Sequence, residues 1–87
     1  MKDIYSLVKT VLISEAGNVD ASIKYDIYRG DDGVNDRWHV MPSKQMNVET
    51  KDGMHAVWVN LASKSFSGYE ELENVLSECQ SHYQENL

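Results

Sequence analysis

The dipeptide Asp52-Gly53 sits between two runs in which hydrophobic residues alternate, and it commits the middle of this chain to an antiparallel pair. Asp-Gly in that setting is the strongest short-range signal for a β-hairpin, because both residues tolerate the positive φ of a tight turn. Residues 44–50 place Met46 and Val48 on one face, and residues 54–61 place Val57, Val59 and Leu61 on one face. Further upstream, Ile23, Tyr25 and Ile27 alternate with Lys24, Asp26 and Tyr28, the two-residue period of a half-buried strand over 21–29. Gly30-Asp31-Asp32-Gly33 is turn chemistry. A strand over about 34–41 should then turn Trp38 and Val40 inward. Pro42-Ser43 is expected to end it, since proline has no N–H to give to a ladder.

The two ends read differently. Ile4, Leu7, Val8, Val11 and Leu12 follow the spacing of an amphipathic helix, with Asp3 as its cap and Gly17 as its stop. Val, Ile, Thr and Tyr in the same stretch lean towards strand. Residues 63–67 read as a loop. Ser67-Gly68-Tyr69-Glu70 then matches a capping box, followed by Tyr69, Leu72, Leu76, Cys79 and Tyr83 at alternating spacings of three and four. A second helix is expected there.

The expected fold class is therefore α+β. A three- to four-stranded antiparallel meander lies between an N-terminal and a C-terminal helix, both packed on one sheet face, in one domain spanning residues 1–87. At 87 residues the chain is long enough to fold alone without much margin. With one cysteine, Cys79, it forms no internal disulfide, which fits a reducing, cytoplasmic setting. Asp3, Lys9 and Glu15 interrupt the N-terminal apolar residues, against a secretory signal. No run approaches the roughly 18 apolar residues of a membrane span, so no membrane partner is expected.

Charge is the most informative bulk property. Net charge is −6, and the last twenty residues hold five glutamates with no lysine or arginine, leaving nine acids and eight bases elsewhere. Without a basic stripe, direct nucleic-acid binding is not expected. Glu70, Glu71 and Glu73 fall at the start of the helix, where its dipole favours negative charge. That does not account for Glu78 or Glu85. Glu71, Glu78 and Glu85 are spaced by seven and form a stripe with no lysine or arginine three or four residues away. The plain reading is a solvated outer face. The sharper one is a contact face for a basic protein, whose encounter the charge would steer.

If both helices cover one sheet face, the other is open, and Tyr28, Met41 and Trp58 stand out among its otherwise polar residues. Aromatic residues and methionine are enriched at the centres of protein interfaces, so these three join Glu71, Glu78 and Glu85 as candidate partner-binding residues. The competing reading is a misassigned register or a homodimer contact.

Catalytic chemistry is not signalled. His39, His55, Cys79 and His82 contain zinc-ligand types, but no paired knuckle is present, and Cys79 lies on the apolar stripe where a thiol is ordinarily inert. Glutamates around Cys79 would disfavour a thiolate. Asp31, Asp32 and Asp36 lack the spacing of a calcium loop. The expectation is a non-enzymatic acidic module, without metal or cofactor, that binds and modulates or inhibits another protein with a basic surface. A nucleic-acid-handling target is the narrow version. A histidine-based metal or ligand domain and a structural homodimer are the alternatives.

Overall fold

The computed structural model describes residues 4–15, 18–31 and 35–86. Five strands and one helix follow in order: β1 (Ile4–Glu15), β2 (Asn18–Asp31), β3 (Asp36–Thr50), β4 (Gly53–Asn60), β5 (Lys64–Ser67) and α1 (Leu72–Glu85). The strands form one antiparallel sheet in the order β1-β2-β3-β4, with β5 also paired to β3. The α+β class and the antiparallel meander hold. The shortest dimension, 18 Å, is that of one sheet and one layer of helix.

The expected N-terminal helix is not formed, and its residues are β1. The helical spacing of Ile4, Leu7, Val8, Val11 and Leu12 loses to tertiary pairing. β1 lies along β2 from Ile4↔Asp31 to Glu15↔Asn18, with a bulge at Val8 between the Leu7 and Lys9 pairs. The bulge shifts the alternation, so Val11 and Ile13 lie opposite Tyr25 and Ile23 on the core face while Leu7 and Leu12 fall on the other. Val, Ile, Thr and Tyr suit that half-covered strand better than a helix. Asp3 and Gly17, read as cap and stop, lie outside the described residues, as do Asp32 and Gly33 of the expected turn.

β3 runs through Pro42 instead of ending there, and the pairing geometry gives the reason. In an antiparallel strand the N–H and C=O of one residue point to the same side. The Pro42 carbonyl accepts from Leu61 N at 2.8 Å, so its missing donor faces the break between β4 and β5, where no ladder bond is lost. β4 and β5 thus form one broken edge along β3: β4 pairs with Ser43–Thr50 and β5 with Arg37–Val40. Residues 64–67, read as loop, supply the second piece.

The core sits between the sheet and α1. Ile23, Tyr25, Ile27 and Val40 from the strands meet Val75, Cys79 and Tyr83 from the helix, all buried, with Val11, Ile13, Trp38, Leu61, Phe66, Leu72 and Leu76 packed around them. Full burial of a side chain such as Ile27 or Val75 stabilises by roughly 1.5–3 kcal/mol. The capping box does not form. α1 begins at Leu72 with Glu71 as an N-cap that makes no side-chain bond. The Ser67 hydroxyl accepts from Tyr69 N at 3.2 Å, and Glu70 takes the Asn74 amide at 3.0 Å. A tertiary clamp sets this turn: the Trp38 indole N–H donates to Glu70 O at 2.8 Å, and Arg29 donates to Gly68 O at 3.1 Å while stacking on Trp38. Tyr69, expected on the buried stripe, is 99% exposed.

Candidate docking site

Past the Ile23↔Lys44 pair, β2 and β3 have no further described pairing, whereas β3 and β4 continue to Thr50↔Gly53. The distal half of β3 and most of β4 therefore form a two-stranded arm beyond the main sheet. The hairpin expected at Asp52-Gly53 forms, but its turn residues are Lys51 and Asp52 between the paired Thr50 and Gly53, only Gly53 takes positive φ, at 114°, and Thr50 Oγ1 donates to Gly53 O at 3.1 Å. All eight residues of β4 are exposed.

Residues paired directly across strands share a face. On the helix side of the arm this puts Met46 beside Val57, Lys44 beside Val59, and Val48 beside His55. Met46, Val48, Val57 and Val59 were read as core, and that is corrected: they are 51, 42, 37 and 40% exposed. The physical cause is the missing first helix. One helix is about 10 Å wide and covers about two strands spaced at about 4.8 Å. α1 starts where Glu70 meets Trp38 and ends with Tyr83 near Glu15 of β1, so it crosses the sheet away from the arm. Sequence alternation marked these residues as one face. Whether anything covers that face was not legible in it.

The helix carries its glutamates on the same side of the sheet as this open row. Glu71, Glu78 and Glu85 repeat every seven residues and align to one side of the buried Val75–Cys79–Tyr83 stripe. That side faces β3 and β5, because Glu78 and His82 lie with Lys64, Phe66 and Pro42. All three carboxylates are exposed, and none forms an ion pair among the described residues.

Tyr28, Met41 and Trp58 lie on the opposite face. Tyr28 and Met41 are half-buried there, and Trp58 is 41% exposed with the Lys24 ammonium 5.0 Å from its ring centre. The six candidate residues thus separate into two surfaces with the sheet between them. A helix diameter of about 10–12 Å plus the sheet exceeds the screening length of about 8 Å, so the glutamate stripe has little influence on a partner bound at Trp58.

The titratable groups are tied into packing. Tyr25 Oη and His82 Nδ1 are 2.7 Å apart, joining sheet to helix. Burial, then Cys79 and Tyr83, raise the Tyr25 pKa far above its usual value, so its hydroxyl keeps the proton. Burial, and then Lys64, lower the His82 pKa, with Glu85 opposing. The Cys79 thiol is pushed up to about 11 by burial and Glu78, with Lys64 opposing. His39 Nδ1 lies 3.1 Å from Ser65 Oγ, and His55 stands on the arm, so the histidines do not converge. Among the described residues no three His, Cys, Asp or Glu side chains are grouped to hold a metal. An open cleft of about 750 Å³ beside β5 is lined by Arg29 and Arg37 but equally by Asp31 and Asp36, and Arg29 is engaged with Gly68 and Asp36. Among the described residues no helix is long and apolar enough to cross a membrane.

Comparison with known proteins finds no matching family model, no matching curated protein and no matching solved structure.

Proposed function

We propose that this chain is a small acidic protein-interaction module that docks through the open arm face beside α1 and modulates its target by occupying a surface. One observation carries the reading: Met46, Val48, Val57 and Val59 lie exposed on the side of the sheet that bears the helix, whose flank towards β3 and β5 carries Glu78. An exposed apolar row bordered by polar and charged groups is the composition of a docking surface. It fits a protein with an apolar centre and a basic rim. Basic grooves are common where proteins handle nucleic acid, so blocking such a groove is the narrow form of the proposal. The Trp58 surface is less favoured, because Tyr28 and Met41 are half-covered and Lys24 lies over the indole.

The test is capture of the target from the native host, followed by association kinetics over a range of salt. Reversing Glu71, Glu78 and Glu85 to lysine should slow association and flatten its salt dependence. Replacing Met46 and Val59 by serine should speed dissociation. Binding that ignores both sets of changes sinks the proposal. Competition between this chain and nucleic acid for the captured target tests the narrow form.

A further inference from the structure

The sheet has two long edges, and they differ in how they resist pairing. β1 carries the Val8 bulge together with Lys9 and Glu15, devices that natural proteins use against edge-to-edge association. β4 has none of them. Gly53–Asn60 contains no proline and no lysine, arginine, aspartate or glutamate, and its pairing to β3 runs from Asn60 to Gly53 without a register shift. In a chain of net charge −6 this is a neutral stretch of eight residues, all exposed. It also borders an arm of only two strands, and a two-stranded hairpin alone is marginal in water.

We infer that β4 pairs antiparallel with β4 of a second copy, across a twofold axis at Val57 and perpendicular to the sheet. Such an axis keeps the faces of both copies aligned, so directly opposite residues must differ by an even number. Centred on Val57, the register sets Val57 against Val57 and His55 against Val59 of the second copy on the helix side. On the other side it sets Ala56 against Trp58 and Met54 against Asn60. No directly opposed pair contains an acid or a permanent cation, so the −6 charge that keeps copies apart elsewhere is not opposed across this seam. Each Trp58 ring lies over the small Ala56 of the other copy, a large–small complement that a register centred on Ala56 lacks, since it would pair Trp58 with Met54.

The second copy completes the surface. Met46 and Val57 of one copy continue into Val57 and Met46 of the other, an apolar row across four strands. Charge selects the second copy over a foreign strand: a basic segment would find no carboxylate on β4 itself, whereas a neutral edge matches its own image.

Sedimentation velocity of the chain alone, from low-micromolar to sub-millimolar concentration, should show a monomer–dimer equilibrium. Val57→Lys places two ammonium groups directly opposite at the axis and should raise the dimer dissociation constant at least about tenfold. Tyr69→Lys, at a fully exposed site off the edge, should leave it unchanged. Val57→Cys should form an intermolecular disulfide under mild oxidation. Met54→Cys should not, because its own counterpart would lie six residues away along the seam, about 20 Å. Circular dichroism checks that each variant is folded, and the crosslink reads the register even if Val57→Lys perturbs the arm. A monomer at every concentration, a dimer indifferent to Val57→Lys, or a crosslink at Met54 in preference to Val57 overturns the inference. A monomer that still captures a basic target removes the dimer and leaves the docking reading standing, whereas a dimer without any target does the reverse.

Discussion

Removing one oxygen, by Tyr25→Phe, tests how the helix is held to the sheet. The ring of Tyr25 is buried, and its hydroxyl lies 2.7 Å from His82 Nδ1. Phenylalanine keeps the ring and loses the bond. A net intramolecular hydrogen bond is worth about 0.5–1.5 kcal/mol. The His82 ring is half-buried, so water can reach its freed nitrogen and the cost stays within that range. For a chain of this size about 1 kcal/mol lowers Tm by roughly 4–8 °C. His82 also sets a pH dependence. The His82 pKa is lowered in the folded state, so the unfolded chain binds more protons below about pH 6.5. Stability should therefore fall as pH drops from about 6.5 towards the lower folded value. Burial and Lys64 cause that depression, so the acid-side loss should persist in Tyr25→Phe and disappear in His82→Gln. The assay is thermal unfolding followed by circular dichroism at several pH values, on wild type, Tyr25→Phe and His82→Gln. A Tyr25→Phe variant as stable as wild type at pH 7.5, or an acid-side slope unchanged in His82→Gln, refutes the reasoning.

Other expectations follow from burial. Val75→Ala removes two buried methyl groups, about 0.8 kcal/mol each, and leaves a cavity, against about 0.6 kcal/mol of better helix propensity, so a net loss near 1–2.5 kcal/mol is expected in denaturant unfolding. Val57→Ala on the open arm should cost less than about 1 kcal/mol in dilute solution, where the arm stands alone. Cys79 is buried with its thiol pKa near 11, so native protein at pH 8 should resist alkylation and denatured protein should react fully, as mass spectrometry would show.

The sequence by itself determined the local alternation and the turn chemistry. Ile23, Tyr25 and Ile27 share a buried face, the chain reverses just before Gly53 with that glycine at positive φ, and Val75, Cys79 and Tyr83 line the helix, because side-chain period and φ preference are properties of short segments. The glutamate stripe was legible for the same reason: residues seven apart align on any helix. Tertiary structure decided what depends on partners distant in the chain. Ile4–Glu15 became a strand because β2 supplies a ladder that overrides its helical spacing. β3 passes through Pro42 because the edge breaks at the place where the missing donor points. Without a first helix, nothing among the described residues covers Met46, Val48, Val57 and Val59, so residues with the pattern of a core became an exposed surface. Periodicity fixes which side chains share a face, and only the assembled layers decide whether that face meets protein or water.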